Sequence, residues 1–418
     1  MNKKEINQFL AFGYIIDENH SIPKEIANIH KDDRFDVCNE DEIVQAGVQS
    51  WRSAIQNILA DDDQEIVVPL SGGLDSRAIL AGLLEFKSHK MIYTFTFGLP
   101  GTFDYEIGNL VANFCKTNHH SYNLNEYPYT YDVLEQISQL TSSNTMLFHH
   151  APISLINRDF GTDKAHWSGF MGDPLAGSHL PPPSEASEPS WDQARKYFVE
   201  KNIYCRSISL KYPDINYINL LPRSPLGKCD SINYAECLDF AIRQQCYVKP
   251  LVLLGELDYK LPFLHQNWVD FILNVPYWCR RNQYIYRKVL LKAYPKLFSL
   301  PVKNNGGLPL NAKPWQLSSQ NIIWIMRSLF EKALSRWVHQ PPLGTNFIDF
   351  NEGIRRRDDL NKLVSSLLQD LIKREIIDWI DIEDIWNKHI HRKANYADAL
   401  TLLASLEVNL KMKKDPRQ

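Results

Sequence analysis

Residues 65–76 read EIVVPLSGGLDS and run directly into RAILAGLLEF. The segment 65–70 is short, apolar and rich in β-branched residues, the pattern of a parallel strand buried on both faces. The apolar stretch that follows has the length and spacing of a helix. Between them stand Ser71, Gly72, Gly73, Leu74, Asp75 and Ser76. Two consecutive glycines let backbone N–H groups approach an anion with no Cβ in the way. The helix that follows points its positive end into the same crevice, and Ser71 and Ser76 add hydroxyl donors. Asp75 would repel bare phosphate, so its presence points to a bridging magnesium ion. The loop is neither GxxxxGK nor GxGxxG. A simple strand-to-helix turn would need neither the serines nor the aspartate.

The flanking sequence sets the fold class. Ile43, Val44, Val48, Trp51, Ile55 and Ile58 recur at helical spacing over 41–61, and the acidic triplet 61–63 ends that helix. MIYTFTFG supplies a second strand at 91–97, DYEIGNLVANFCK a helix at 104–116 with Asp104 as its N-cap, and NHHSYNL a third strand at 118–124. This βαβαβ order predicts a doubly wound α/β domain beginning near residue 60. Before it, FLAFGY reads as one strand followed by the polar turn DENHS. After it, 126–163 reads as mostly helical and peripheral. HWSGFMGDPLAG (166–177) is a second glycine-punctuated loop, and PPPSEASEPS (181–190) an extended insertion. From about 191 helices dominate, with VDFIL, YIYRKVLLKAY and IIWIMRSLFEKALSRWV the strongest. GIRRRDDLNK is expected to face solvent, ADALTLLASLEVNL to form a late amphipathic helix, and KMKKDPRQ a polar tail.

Composition excludes several classes. The 418 residues carry 46 Lys and Arg against 49 Asp and Glu, a net charge of -3, and 44% are apolar. That is a globular balance, not a disordered, collagen-like or histone-like one, and it argues against a broad nucleic-acid face. The start, MNKKEINQFL, has no apolar h-region, and runs such as ILAGLL and PLVLLG fall far short of the roughly 18 residues a membrane span needs. The seven cysteines include no C-x-x-C pair. Scattered thiols of this kind suit a reducing cytoplasm without a cysteine metal site.

VVPLSGGLDSRAILAGLL resembles the pyrophosphate-binding loop of the asparagine synthetase-like ATP-pyrophosphatases, which include asparagine synthetase, β-lactam synthetase and the macrolactam cyclases of lasso peptides. YTFTFG with DYEIGNLVANFCKTNHH resembles the family's second strand and helix, SGFMGDPLAG its Gly-Asp-Glu-x-x-x-Gly segment, and LDYKLPFLHQNWVDFILNVP its Leu-Glu-x-Arg-x-Pro-Phe-Leu-Asp segment. YIYRKVLLKAYPKLFSLPVKNNGGLPL resembles its late helix and lysine-glycine loop, FLAFGYIIDENHSIPKEIANI the tail of its glutamine amidotransferase domain, and IDIEDIWNKHIHRKANYADALTLLASLE its closing helices. The resemblance covers about residues 10–310. It implies a Rossmann-like parallel sheet of the adenine nucleotide alpha-hydrolase type with a largely helical C-terminal half. Residues 1–40 would be an amidotransferase remnant, 41–310 the ATP-pyrophosphatase domain, and 311–418 a helical extension packed on it.

The activity the resemblance implies is adenylation of a carboxylate by ATP, release of pyrophosphate, and displacement of AMP by an amine. Ser71, Gly72, Gly73, Leu74, Asp75, Ser76, Phe97, Gly98, Gly172 and Asp173 would then bind ATP, with Asp75 and Asp173 sharing magnesium. Lys303 would oppose charge on the α phosphate, and Asp258 is carried as a second catalytic candidate. Several positions depart from the family. Asn2 stands where its glutaminase has a Cys nucleophile, so ammonia or an amine would come from a substrate, a separate glutaminase or a precursor peptide. Phe170 stands three before Asp173, where asparagine synthetases carry Glu and the β-lactam enzyme Tyr, and Pro174 replaces the neighbouring Glu. Phe can neither accept a proton nor hydrogen-bond an amine. Asp258, Lys260 and His265 replace the family's Glu, Arg and Asp. Arg77 is open to phosphate contact or structural use, and His119 and His120 close the third strand. Two other readings compete with the ligase: a nucleotide-binding or regulatory protein with little turnover, and a tRNA-modifying adenylating enzyme, which near-neutral charge and the missing C-x-x-C disfavour.

Overall fold

EIVVPL becomes β1 (Ile66–Pro69), and the chain then builds β2 (Ile92–Gly98), β3 (Asn118–Asn123), β4 (Ala165–Trp167) and β5 (Asp258–Lys260). In the computed structural model these form one parallel sheet in the order β3-β2-β1-β4-β5. Val67 lies opposite Tyr93 on one side and His166 on the other. The structure describes residues 1–59, 64–182, 189–209, 215–227, 229–255, 257–320 and 342–413. The fold is therefore Rossmann-like α/β, with a largely helical C-terminal half. From β1 the chain steps outward to β2 and β3, then returns to lay β4 on β1's other side. That reversal opens a crevice at the carboxyl ends of β1 and β4, where open α/β sheets take ligands. Both glycine-punctuated loops leave the sheet there.

The helix Glu40–Leu59 packs with Asp75–Leu83, Gln266–Asn274 and Tyr284–Ala293 into the larger core. Gly47 permits this packing: a Cβ there would lie 2.5 Å from Val289 and 2.6 Å from Phe271. Trp51 packs at a tilt against Phe263 and edge-on against Trp268, with ring centroids 4.7 and 5.2 Å away. The opposite sheet face, with Val67, Phe95 and Tyr122, is covered by Ile156 and Phe160 of the helix Ile153–Phe160. The stretch 126–163 is thus not peripheral, and Met146, Leu147 and Phe148 are fully buried.

A second core joins the two ends of the described chain. Ile6, Phe9 and Leu10 pack with the C-terminal helices Phe350–Arg356, Asp358–Lys373, Ile382–Ile390 and Ala397–Met412. FLAFGY is not a strand: its first four residues close the helix Lys3–Phe12, which starts with a reciprocal Asn2–Glu5 capping box and ends at left-handed Gly13. ADALTLLASLEVNL is helical but not amphipathic, because neighbours bury it on all sides. Its polar side chains are satisfied internally. Glu407 takes two bonds from Arg374, at 2.5 and 2.8 Å. Asn409 accepts from Ser138 Oγ at 2.6 Å and donates to the Thr145 carbonyl at 2.8 Å. Asn409→Ala removes the donor to the Thr145 carbonyl and leaves Ser138 Oγ with Ser143 alone in a dry interior, and should cost about 1–3 kcal/mol in a denaturant melt. A loss under 0.5 kcal/mol, on the order of a surface change, would mean water replaces the amide.

GIRRRDDLNK does not simply face solvent. Arg355 binds Glu352 and the carbonyls of His389 and Ala394, and Arg357 binds Asp359 and the carbonyls of Leu124 and Tyr127. The run is an ionic junction between helices. All seven cysteines are free, and among the described residues no helix is long and apolar enough to cross a membrane. The expected helix IIWIMRSLFEKALSRWV, the triplet 61–63, residues 183–188 of the insertion and 414–418 of the tail lie outside the described residues.

Candidate functional site

The loop after β1 is ordered by its own hydroxyls. Ser71 N–H donates to Ser76 Oγ and Gly73 N–H to Ser71 Oγ, each at 3.2 Å. Gly72 N–H donates at 3.0 Å to Asp104, on the first turn of the helix Phe103–Cys115. Asp104 is therefore not the N-cap expected from sequence; Thr102 holds that position. The other Asp104 oxygen accepts from Lys303 Nζ at 2.6 Å, and Lys303 also binds Asn346 Oδ1. Lys303 N–H donates to Gly72 O at 2.8 Å. A Cβ on Gly72 would lie 3.0 Å from Lys303 Cβ and 3.1 Å from the Phe103 carbonyl. This glycine is needed where three chain segments converge.

Arg77 is fully buried and its guanidinium faces the backbone of another segment. It donates to the carbonyls of Leu297, Leu300 and Pro301, the last at 2.6 Å, with Phe298 under its guanidinium. The residue directly after the loop thus fixes the turn that leads into the hairpin of β6 (Pro301–Val302) and β7 (Leu308–Pro309), which carries Lys303.

Asp75 and Asp173 come together at the crevice. Gly172, beside Asp173, packs so tightly on Asp75 that a Cβ would sit 2.6 Å from its carboxyl carbon. Burial, and next the Asp173 charge, push the Asp75 carboxyl up to about 8, although the Tyr286 hydroxyl donates to it at 2.9 Å and pulls the other way. Asp173 accepts from Gln283 Nε2 at 2.5 Å and lies 3.5 Å from His179 Nε2, whose Nδ1 is 2.8 Å from Asp239. Both segments that meet at Asp173 are strained: Met171, Asn282 and Gln283 all have positive φ without being glycine.

A cleft of about 880 Å³ joins these groups. Ser71, Gly73, Leu74, Asp75, Ser76, Phe97, Asp104, Asp173 and Lys303 line it. Gly72, Gly172 and Gly98, which ends β2, are not among the lining residues. Asp258 is not among the lining residues; it opens β5, half exposed, 2.9 Å from Lys260. Phe170 belongs to the larger core and is 3% exposed. His265 caps the helix Gln266–Asn274 through Nδ1. His119 bonds Thr94 at 2.9 Å, and burial drives it down to about 4.

Sequence reasoning missed Asp104, Tyr286, Gln283, His179 and Asn346. Only Asp104 carried a signal, an acid on the first turn after a strand end.

Two adjoining carboxylates, one pushed upward by burial and by the charge of the other, form a donor set that a divalent cation would relieve. Among the described residues no cluster of three or more His, Cys, Asp or Glu is arranged as a metal cage. A cation here would need ligand oxygens as well, as magnesium does with substrate phosphates.

Residues 51–214 match the asparagine synthase family model. The matched span contains both loops, Asp75, Asp104 and Asp173; Lys303 lies beyond it. The match supports that family's general activity class, ATP-dependent ligation. No curated protein matches the chain.

Proposed function

We propose that this chain is an ATP-dependent amide-forming ligase, a reading supported by the match of residues 51–214 to the asparagine synthase family model. Its substrate is a carboxylate on a small molecule or peptide, and its acceptor is an amine or ammonia, supplied by a substrate, a separate glutaminase or a precursor peptide. The observation that carries the reading is the meeting of Asp75 and Asp173 at the sheet's reversal point, with Lys303 on the same cleft.

In this reading the tip of the helix Asp75–Leu83, with the amides of Leu74 to Ser76 and the hydroxyls of Ser71 and Ser76, receives the tail phosphates of ATP, while the amides of Ser71, Gly72 and Gly73 hold the loop in shape. Asp75 and Asp173 hold magnesium, which when bound neutralises phosphate charge. The substrate carboxylate attacks the α phosphorus, and the bond to the β-bridging oxygen breaks. Lys303 faces the charge that develops there, and Asp104 sets the direction of its ammonium. The amine then attacks the acyl carbon, AMP leaves with the acyl C–O electron pair, and the amine proton passes to solvent. Phe170 is packed in the core and supplies no base to the cleft; an acceptor that arrives neutral needs none. Catalysis is chiefly positioning and charge stabilisation.

ATP–pyrophosphate exchange tests the reading. The wild-type protein should exchange label only when an acid is supplied together with magnesium. Tight ATP binding with no exchange across amino acids, aryl acids and peptides would instead favour a nucleotide-binding module without turnover.

A further inference from the structure

Beyond the phosphate end, the cleft changes character along one unusual element. Residues Asp239–Val248 form a π-helix, continuous with the α-helical Tyr234–Leu238 before it and Lys249–Val252 after it. Its i→i+5 bonding widens the turn, and Arg243, Tyr247 and Val248 all line the cleft. Leu251, Leu254 and Leu257 continue the same wall.

Two permanently charged cations line the cleft among the described residues, Lys303 and Arg243. Lys303 is engaged by Asp104 and Asn346. Arg243 makes no hydrogen bond with a described residue. Its one ion pair is a loose 4.0 Å approach to Asp239, whose other oxygen is taken by His179 at 2.8 Å and Gln244 at 3.2 Å. A guanidinium presents five donors in a planar fork that matches a carboxylate. Here that fork stands on an apolar wall, connected to Asp173 through Asp239 and His179.

We propose that Arg243 is the carboxylate anchor for the acyl substrate, and that the leucine-lined wall selects an acid with an apolar or aromatic body over a small polar one such as aspartate. This rests on the adenylating reading and adds the substrate class to it. The apolar lining would leave the polar groups of aspartate unpaired, a penalty a hydrocarbon body escapes. Arg243 holds the reacting group while Lys303 remains available to the α phosphate.

The test is calorimetric titration of 3-phenylpropionate and of L-aspartate, with and without magnesium and α,β-methylene-ATP. 3-Phenylpropionate should bind at least about tenfold more tightly than aspartate. Arg243→Gln should weaken it at least about tenfold while the affinity for α,β-methylene-ATP stays within about twofold. Leu251→Asn, on the wall alone, should narrow the preference between the two acids. Equal or tighter binding of aspartate, no binding of either acid, or an unchanged affinity in Arg243→Gln would each overturn the proposal. Failure of α,β-methylene-ATP to bind the wild type would instead remove the adenylating reading, and the titration without nucleotide would still read Arg243.

Discussion

Asp75→Asn should abolish ATP–pyrophosphate exchange, by about 10³-fold or more, and yet leave a protein that tolerates alkaline pH better than the wild type. The loss follows from the position of Asp75, which shares the crevice with Asp173 and supplies half of the anionic pair that suits magnesium. The gain follows from the cost of keeping that carboxylate charged. Its value rises from 3.8 to about 8, first through burial and then through Asp173. A carboxyl shifted in this direction keeps a proton in the native state that the unfolded chain releases. Between about pH 4 and pH 8 the native state therefore binds more protons, and stability falls as pH rises through that window. An amide has no such dependence and can still accept the Tyr286 hydrogen bond. In magnesium-free buffer, the stability of Asp75→Asn relative to wild type should improve by at least about 1 kcal/mol from pH 5 to pH 8. A parallel pair of stability curves would show that Asp75 ionises normally in the folded protein. Exchange surviving in the variant would take this residue out of the chemistry.

Lys303→Met should lower the exchange rate about 10²–10³-fold, the range for losing one preorganised charge at a transition state, while changing stability little. Met keeps much of the stem volume, so packing against Gly72 survives. Asp104 retains its bond from the Gly72 amide and is not left without a donor. The backbone bond from residue 303 to Gly72 O is also untouched. Single-turnover rates should fall far more than ATP affinity, because the ammonium acts where charge develops. A variant that binds ATP poorly but turns over normally once saturated would mean that Lys303 only holds the ground state.

Three of the five strands in the central sheet, β1 to β3, were readable because their signals lie close together in sequence, whereas β4 and β5, three residues each, carried none. EIVVPL and MIYTFTFG each carry enough apolar or β-branched residues within six to eight positions to declare a strand, and the glycine pair marks the turn between β1 and its helix; NHHSYNL, with only Tyr122 and Leu124 apolar, takes its place from the βαβαβ order. Asp104 was misread for the opposite reason. An acid on a first helical turn is ordinary cap chemistry, and only the fold brings Lys303, 199 residues later, onto its carboxylate. Arg77 was left open between ligand and scaffold, and carbonyls more than 200 positions away decide for the scaffold. FLAFGY looked like a strand because its apolar density hid the capping pair, Asn2 and Glu5, that precedes it. ADALTLLASLEVNL shows the converse limit. Thr401, Ser405, Glu407 and Asn409 suggested a wet face, but each has a partner inside the core. Nothing in CLDFAIRQQCYV announces a π-helix.

The packing of Phe9 and Leu10 with the helix Ala397–Met412 has a consequence for biosynthesis. During translation the first helix emerges nearly four hundred codons before its partner, so its greasy side must wait, exposed or chaperone-bound, until residues 397–412 have been made. The half built on the parallel sheet can assemble earlier from contacts closer in sequence, leaving the second core as the late and slow event. Ribosome stalling before residue 397 should therefore yield nascent chains whose sheet resists protease while Lys3–Phe12 is still cut.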